Sequence, residues 1–322
     1  MITIKESIPN KLKLGKVNIN WLERALPRKD SLGRNGMEIF KKHNIKIVRE
    51  GKADFGLSLN GDKVKGVPKN KTILIKGEPP IYNIYFGRKL CQQKFLDKYL
   101  GVLSYAMTDN LNQEHYNSPQ DAFEYVDKYF DIPKKKLLCM ILKNKKTTIT
   151  LNKFIPKLRK YSENSNMNLR INADKDFCKY LGRDMYHSYG RGWCEECFRG
   201  AIPWGGPNAY EVISKFQFNF CPENSRFPGY VTEKPLQAMC VGSVPIYVGA
   251  PDVYDYLPKG SFIDFTEFGI LALCEYLKYM DLSEYNKYRK RMKQFVTSEE
   301  SEMFSSYVFA KKLVSFMEEK NE

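Results

Sequence analysis

Short apolar segments alternate with amphipathic segments along most of this chain, and this alternation limits the folds open to it. The apolar segments have the length of strands and lie at 45–48, 54–59, 72–78, 137–142, 215–220 and 244–249. Stretches with helical periodicity separate several of them, as at 37–43 and 232–241. Strands joined by helices favour parallel sheets with helices on both faces. The sequence therefore predicts an α/β protein.

The alternation is interrupted after residue 130, and the interruption predicts a domain boundary. Pro133 and a run of lysines stand in DIPKKK at 131–136, directly before the apolar segment LLCMIL. The chain of 322 residues is also long for one domain, since a domain holds about 100–200 residues. We expect a first domain at 1–133 and a second at 134–322, with the helical segments from 267 onward in the second.

Three local predictions concern the middle of the second domain. The pattern indicates a helix at 151–162 and a strand at Leu169–Ile171. The segment 184–207 is rich in Gly, Tyr and Trp, and it is expected to be irregular.

The net charge of +15 is concentrated near the start of the chain, where residues 1–76 hold 18 Lys and Arg against 7 Asp and Glu. Such basicity suits nucleic acid, an anionic membrane surface or an acidic glycan. No helix-turn-helix, RNP-like or zinc-finger pattern supports nucleic acid as a partner. The basic segment 287–295 can add to an anion-binding surface, although a charge run is usually a solvated helix face.

The cysteines and the lack of long apolar runs bear on location. Several of the eight cysteines stand inside apolar segments, which is typical of buried thiols in a reducing compartment. No apolar run approaches the roughly 20 residues that span a bilayer, and the N-terminal residues lack the apolar core of a signal peptide. We expect a cytoplasmic protein with at most peripheral membrane contact.

Polar side chains gather where the strand at 215–220 leads into the helix at 232–241. Glu223 and Asn224 follow the strand, while Tyr230, Glu233 and Lys234 stand near the start of the helix. A helix N-terminus favours anions, so a lysine there is misplaced unless an anion such as a pyrophosphate lies nearby. Glu233 suits the helix start and can accept hydrogen bonds from hydroxyl groups. The junction therefore indicates a site for a nucleotide-sugar diphosphate, although exposed charges at a capped helix start are the simpler reading of TEK alone.

The longer pattern around this junction resembles the donor-binding signature of the α1,3/α1,4-fucosyltransferase family, glycosyltransferase family 10. The resemblance rests on ENS, GYVTEK, SVPIYVGAP and PKGSFID, in that order over about fifty residues. It implies a GT-B fold, in which two Rossmann-like domains face each other across a cleft. It also implies an N-terminal acceptor half and a C-terminal half that binds GDP-fucose. By resemblance, Lys234 holds the diphosphate, while Tyr230, Glu233 and Asn224 contact the phosphate, ribose or sugar of the donor.

The resemblance also implies an inverting reaction with a general base in the acceptor half. In TILIKGEPP, Glu78 directly follows an apolar strand, so Glu78 is our candidate base and Glu233 joins it in the catalytic set. The alternative is a turn glutamate beside Pro79 and Pro80.

One departure from the family concerns an arginine that holds the diphosphate. The family places it after the first strand of the second domain, where this chain has lysines, among them Lys145, Lys146 and Lys153. A lysine can supply the charge but not the bidentate fork of an arginine. Arg191, in SYGRG, is a further candidate, with a solvated loop arginine as the alternative.

Two patterns of metal-ligating residue types are set aside. Cys194 and Cys197 form one CxxC near Cys178 and His187, but a zinc site needs two further ligands, and reduced thiols in a loop are favoured. Asp174 and Asp176 are interpreted as a solvated turn. By resemblance no cofactor is required, and a divalent metal is at most stimulatory.

The sequence thus predicts an inverting transferase that moves L-fucose from GDP-fucose to a sugar hydroxyl of a glycan, with O3 of N-acetylglucosamine as the expected acceptor atom. One alternative keeps the fold and changes the nucleotide-sugar donor, because the missing arginine belongs to the donor site. The other is a noncatalytic basic protein that binds glycan or nucleic acid.

Overall fold

A computed structural model gives the fold of the protein. It describes residues 1–6, 21–48, 52–79, 89–90, 92–107, 112–118, 120–144, 164–193, 196–202 and 207–319. The predicted helix at 151–162 and the candidate residues Lys145, Lys146 and Lys153 lie outside this part of the chain.

The first sheet contains six parallel strands. They are β1 (Ile2–Glu6), β2 (Ile45–Ile47), β3 (Phe55–Leu59), β4 (Thr72–Lys76), β5 (Gly101–Ser104) and β6 (Glu114–His115). Their order in the sheet is β2-β1-β3-β4-β5-β6, and the central pair places Leu57 of β3 opposite Ile73 of β4. All five residues of β4 are buried, as expected for a central strand covered on both faces.

The second sheet contains five parallel strands. They are β7 (Lys136–Ile141), β8 (Tyr186–Tyr189), β9 (Phe216–Pro222), β10 (Val244–Val248) and β11 (Ile263–Asp264). Their order is β11-β10-β9-β7-β8, so β9 is central. The predicted α/β class is confirmed, and the apolar segments of the sequence coincide with the strands because fully buried parallel strands consist of near-continuous apolar residues.

The helices connect and cover the two sheets. They are α1 (Trp21–Ala25), α2 (Gly36–Lys42), α3 (Gln93–Leu96), α4 (Val126–Tyr129), α5 (Met167–Met185), α6 (Pro207–Ile213), α7 (Glu233–Cys240), α8 (Ile270–Tyr279), α9 (Leu282–Val296) and α10 (Ser306–Glu318). Short 3₁₀ segments lie at Lys69–Lys71, Ala122–Tyr125, Val253–Asp255, Phe265–Glu267 and Glu299–Phe304. None of the described helices is long and apolar enough to cross a membrane.

The last helix, α10, packs on the first sheet rather than with the second domain to which the sequence assigned it. Phe309 and Leu313 of α10 are buried in one cluster with Leu22 and Phe40. At the start of α10, the Ser306 hydroxyl donates to the Leu26 carbonyl oxygen at 3.0 Å. The apolar face of α10 covers this core, but an amphipathic pattern does not specify which sheet it will cover. The two sheets themselves lie on either side of the expected boundary at 133/134.

The predicted strand at Leu169–Ile171 is wrong, because both residues belong to helix α5. The buried residues of α5 recur at helical spacing through Arg170, Ala173, Phe177 and Leu181. Asp174 lies on this buried face and accepts a hydrogen bond from the Tyr186 hydroxyl at 2.8 Å. The interpretation of Asp174 as part of a solvated turn is therefore also wrong.

The segment 184–207 is less irregular than expected, since it contains β8, which pairs with β7. A disulfide joins Cys178 of α5 to Cys197 beyond β8. The prediction of reduced thiols is therefore wrong for this pair, whereas Cys139, Cys221, Cys240 and Cys274 are free and buried. Cys194 lies outside the described residues.

The basic segment of α9 has intramolecular partners. Lys293 lies 2.6 Å and Arg289 lies 3.6 Å from carboxylate oxygens of Asp131, and Arg291 lies 2.6 Å from Glu300. These three charges are therefore compensated within the protein, which reduces what the segment can offer to an anionic surface.

Candidate active site

A cleft of about 540 Å³ lies where the carboxyl ends of strands from both sheets meet. Glu78 follows β4 and Tyr105 follows β5 on one side, and Asn224 follows β9 on the other. The volume is in the range of small-molecule sites, and the carboxyl ends of parallel strands are where such folds bind ligands. The described lining residues are Leu59, Asn60, Ile75, Gly77, Glu78, Tyr105, Tyr116, Ser118, Leu142, Lys143, Arg170, Asn224, Tyr230, Thr232, Glu233 and Lys234.

Contacts between the two halves border this cleft. The backbone N–H of Met107 donates to the Pro228 carbonyl oxygen at 2.9 Å, and the imidazole Nε2 of His115 lies 2.9 Å from the Gly229 carbonyl oxygen. Gly229 has a φ of 74°, and a side chain there would collide with the His115 ring at 2.5 Å. The glycine therefore lets the first half approach the loop that carries Tyr230.

Glu78 of the first half forms hydrogen bonds with two residues of the second half. The Tyr230 hydroxyl donates to Glu78 Oε2 at 3.1 Å, and the Asn224 amide donates to the same oxygen at 3.4 Å. Tyr230 is buried, and burial together with the charge of Glu78 raises its pKa well above the usual value. Its hydroxyl therefore keeps its proton and remains a donor to the Glu78 carboxylate. The structure thus brings Glu78 into contact with two residues that lie about 150 positions later in the sequence.

Glu223 and Lys234 form a buried pair at the start of α7. The Lys234 ammonium lies 2.8 Å from Glu223 Oε2, and the side chains are 11% and 0% exposed. The same carboxylate accepts hydrogen bonds from the backbone N–H and the hydroxyl of Thr232, both at 2.7 Å. The expectation that Lys234 needs an external anion is therefore wrong, because Glu223 supplies a negative charge from the end of β9.

Opposing effects of burial and charge act on the pKa values of both groups. Burial alone would lower the pKa of Lys234, but the carboxylates of Glu223 and Glu233 outweigh it and raise that pKa. Burial raises the pKa of Glu223, against the stabilising charge of Lys234. Since Lys234 also lines the cleft, the side chain can present its charge to a bound anion while Glu223 holds it from behind.

Glu233 lies in the first turn of α7, with its carboxylate 3.6 Å from the Lys234 ammonium. Its side chain is 22% exposed and lines the cleft. This position suits a carboxylate that accepts hydrogen bonds from hydroxyl groups of a ligand, and the helix N-terminus favours its negative charge.

Among the residues that the structure describes, the arginine that lines this cleft is Arg170, which was not among the candidates from the sequence. Arg170 is 1% exposed, lines the cleft, and donates from Nη2 to the Pro222 carbonyl oxygen at 2.6 Å. Arg191, in contrast, is exposed and lines a neighbouring pocket that shares only Leu142 and Lys143 with the cleft. Arg170 was missed because the segment 169–171 was predicted to be a strand, whereas it belongs to α5, with Arg170 on the buried face of that helix.

Tyr105 and Tyr116 were missed as well. Their rings lie 5.5 Å apart, and the Tyr105 ring packs edge to face on Tyr230 at the same distance. Tyr105 directly follows β5, so the end of an apolar strand in the first half is the sequence signal that could have identified it.

The described residues contain no group of three or more His, Cys, Asp or Glu side chains placed to hold a metal ion. Cys178 and Cys197 form a disulfide with each other, and Asp174 accepts a hydrogen bond from Tyr186. The charged side chains that line the cleft in the described part of the chain are those of Glu78, Glu233, Lys143, Lys234 and Arg170.

Two parallel α/β sheets that face each other across a cleft define the GT-B fold of glycosyltransferases. A crystal structure of an α1,3-fucosyltransferase with GDP-fucose is similar, with a TM-score of 0.56 and 16% identity over 98% of this chain and 89% of that one. A structure of an α-glucosyltransferase in complex with UDP is also similar, with a TM-score of 0.53 and 8% identity over 98% and 99% of the two chains. At these identities the similarity establishes the fold.

The family follows from the sequence. The family described as "Glycosyltransferase family 10 (fucosyltransferase) C-term" matches residues 131–320, so the chain belongs to glycosyltransferase family 10. An α-(1,4)-fucosyltransferase of Arabidopsis thaliana is 39% identical over 85 residues, and the α-(1,3)-fucosyltransferase FucT of Helicobacter pylori is 37% identical over 84 residues. These alignments cover 24% and 26% of this chain, and 21% and 17% of the relatives' lengths. The resemblance that the sequence analysis named is thereby confirmed.

Proposed function

We propose that this protein is an inverting fucosyltransferase that moves L-fucose from GDP-fucose to a sugar hydroxyl of a glycan. The observation that carries the proposal is the cleft in which Glu78 of one half meets Asn224, Tyr230 and Lys234 of the other. Membership of family 10 supports the transferase class, and the named relatives support fucose as the sugar.

The diphosphate of the donor binds between Lys234 and Arg170. Both are cations on the cleft wall, and each is fixed by hydrogen bonds to the end of β9, through Glu223 and the Pro222 carbonyl oxygen. Arg170 takes the part of the arginine that the sequence analysis sought in the lysine-rich segment and at Arg191. Preorganised cations stabilise the charge that develops on the leaving GDP without a metal ion, so none is required in this proposal.

Glu78 acts as the general base. Both of its described hydrogen bonds reach Oε2, and no described residue hydrogen-bonds to Oε1, which leaves that oxygen for the acceptor hydroxyl. The acceptor oxygen attacks the anomeric carbon, the bond from that carbon to the phosphate oxygen breaks, and Oε1 takes the hydroxyl proton. Attack from the face opposite GDP inverts the configuration.

The acceptor binds on the side of the first half. The expected acceptor atom is O3 of N-acetylglucosamine, and the basic first part of the chain favours an acceptor that carries negative charge. The same basicity supports contact with an anionic membrane surface as a secondary proposal, to which three basic side chains of α9 contribute less because they are paired within the protein.

A screen of nucleotides tests the proposal. Thermal unfolding and hydrolysis are measured with GDP, GDP-fucose, GDP-mannose and UDP-glucose, since a ligand that binds only the folded state raises the melting temperature. We expect stabilisation by GDP and slow hydrolysis of GDP-fucose alone. Stabilisation by UDP-glucose instead would keep the transferase and overturn the donor, and no response to any nucleotide would favour a noncatalytic binding protein.

A further inference from the structure

The hydroxyl of Tyr105 is buried at the cleft and has no hydrogen-bond partner among the described residues. Tyr105 is 5% exposed, and its hydroxyl oxygen is sealed from solvent and unpartnered within the described ranges of the chain. A buried polar group with no partner is costly, at roughly 1–3 kcal/mol, and native proteins rarely keep one without a reason.

The position of Tyr105 links it to the second half of the protein. Its backbone N–H donates to the Lys76 carbonyl oxygen at 3.0 Å, so the residue is anchored at the carboxyl ends of β4 and β5. Its ring, however, packs edge to face on Tyr230 of the second half, with 5.5 Å between ring centres. The phenol therefore extends from the acceptor half toward the residues that line the donor side of the cleft.

The electrostatic surroundings agree with this direction. Burial, followed by the charges of Glu233 and Glu223, raises the pKa of Tyr105 well above its usual value. The hydroxyl therefore keeps its proton and can donate it in a hydrogen bond. Burial and the charge of Glu78, instead of the charges of Glu233 and Glu223, raise the pKa of the neighbouring Tyr116.

We propose that Tyr105 is a donor-binding residue contributed by the acceptor half, whose hydroxyl donates a hydrogen bond to an oxygen of the sugar diphosphate of the bound nucleotide sugar. The inference rests on the proposed function and adds to it a contact from the opposite domain. It explains why the hydroxyl is kept despite its cost in the unliganded protein, since its partner arrives with the ligand. Such a contact also makes the affinity for the donor depend on the position of the first half relative to the second.

Tyr105→Phe tests this directly, because the change removes only the hydroxyl. A hydroxyl with a structural role and one with a ligand-binding role give opposite results in the unliganded protein. Loss of a structural hydrogen bond lowers the melting temperature, whereas loss of an unpartnered buried hydroxyl leaves it unchanged or raises it. We expect the second result, together with a roughly three- to tenfold rise in the Kd of GDP-fucose measured by calorimetry.

Tyr285 provides the matched control. It lies in α9, is 8% exposed, packs on Phe218, and has a buried hydroxyl for which the structure likewise shows no partner, but it does not line the cleft. Tyr285→Phe should therefore leave or raise the melting temperature in the same way without changing the Kd of GDP-fucose.

The same titration with GDP locates the contact. If Tyr105→Phe weakens GDP-fucose and GDP alike, the hydroxyl contacts the diphosphate; if it weakens GDP-fucose alone, the contact is to the sugar, and both results support the inference. An unchanged Kd for both ligands, or a clear fall in the melting temperature of unliganded Tyr105→Phe, would overturn it.

The test of Tyr105 and the test of the proposed function can fail independently of each other. Should the wild-type protein prefer another nucleotide sugar from the screen, the comparison is made with that ligand, so the donor assignment fails while the Tyr105 inference is still tested. A wild-type protein that binds no nucleotide would overturn both.

Discussion

The Lys234 ammonium lies 2.8 Å from the Glu223 carboxylate, in a pair that is almost sealed from solvent. The carboxylate also holds the N–H and hydroxyl of Thr232, the residue that precedes α7. One buried glutamate thus fixes both the beginning of a helix and the direction of the lysine that faces the cleft.

Replacing one member of this pair should reduce the free energy of unfolding more than replacing both. Glu223→Gln and Lys234→Met each leave one buried charge without its main partner, so each should reduce the free energy of unfolding by about 3–5 kcal/mol. The double variant should lose much less than the sum, and urea unfolding of the wild type and the three variants measures the coupling. Additive losses would show that the two charges act independently.

Arg170 and Arg191 give a second, paired test. Arg170→Lys should raise the Kd of GDP roughly ten- to a hundredfold, because lysine keeps the charge but cannot form the planar fork of an arginine. Arg191→Lys should stay within about twofold of wild type, since Arg191 is exposed and outside the cleft. Calorimetric titration with GDP compares the two, and the reverse ranking would assign the diphosphate to the neighbouring pocket.

The packing of α10 predicts which strands lose stability when a core contact of this helix is removed. Leu313 is fully buried beneath the first sheet, and Leu277 of α8 is buried in the core of the second. Leu313→Ala should cost about 2–5 kcal/mol and reduce the hydrogen-exchange protection of β3 and β4, whereas Leu277→Ala should affect β9 and β10. Loss of protection confined to the second sheet in Leu313→Ala would contradict the packing.

His187 predicts a loss of stability in acid. It is 8% exposed, and burial, with the charges of Lys136 and Arg199, lowers its pKa to about 4. The pKa of an unfolded histidine is about 6.5, so between these values the unfolded state binds a proton that the folded state does not. Stability should therefore fall as the pH drops from about 6.5 to about 4.

His187→Gln removes this titration. The free energy of unfolding of this variant should depend less on pH across the same window, and between pH 7 and pH 4.5 the variant should lose about 1–3 kcal/mol less than the wild type. Urea unfolding at several pH values measures it, and parallel curves for the two proteins would show that His187 does not titrate as expected.

Strands and the donor-side junction could be predicted from the sequence because their signals are local. A buried parallel strand is a run of apolar residues, and Asn224, Tyr230 and Lys234 stand within eleven positions of one another. Glu78 was reached through the family resemblance, and the structure places it against Asn224 and Tyr230.

What could not be predicted depends on contacts between distant segments. The apolar face of α10 has the same pattern whichever sheet it covers. Leu169 and Ile171 read as a short strand until the buried face of α5 is seen to extend from Arg170 to Leu181. Lys234 looked uncompensated because no sequence rule places the Glu223 carboxylate beside it.

The most direct test of the account is Glu78→Gln, which keeps the size of the side chain and its capacity to accept hydrogen bonds from Tyr230 and Asn224. With GDP-fucose and an acceptor that contains N-acetylglucosamine, the rate of transfer at saturating donor should fall by about a hundredfold or more, since a positioned general base contributes at least that much. The Kd of GDP-fucose should remain within about twofold of wild type, because Lys234 and Arg170 are untouched. An unchanged rate of transfer would contradict the assignment of Glu78 as the base in the cleft between the two halves.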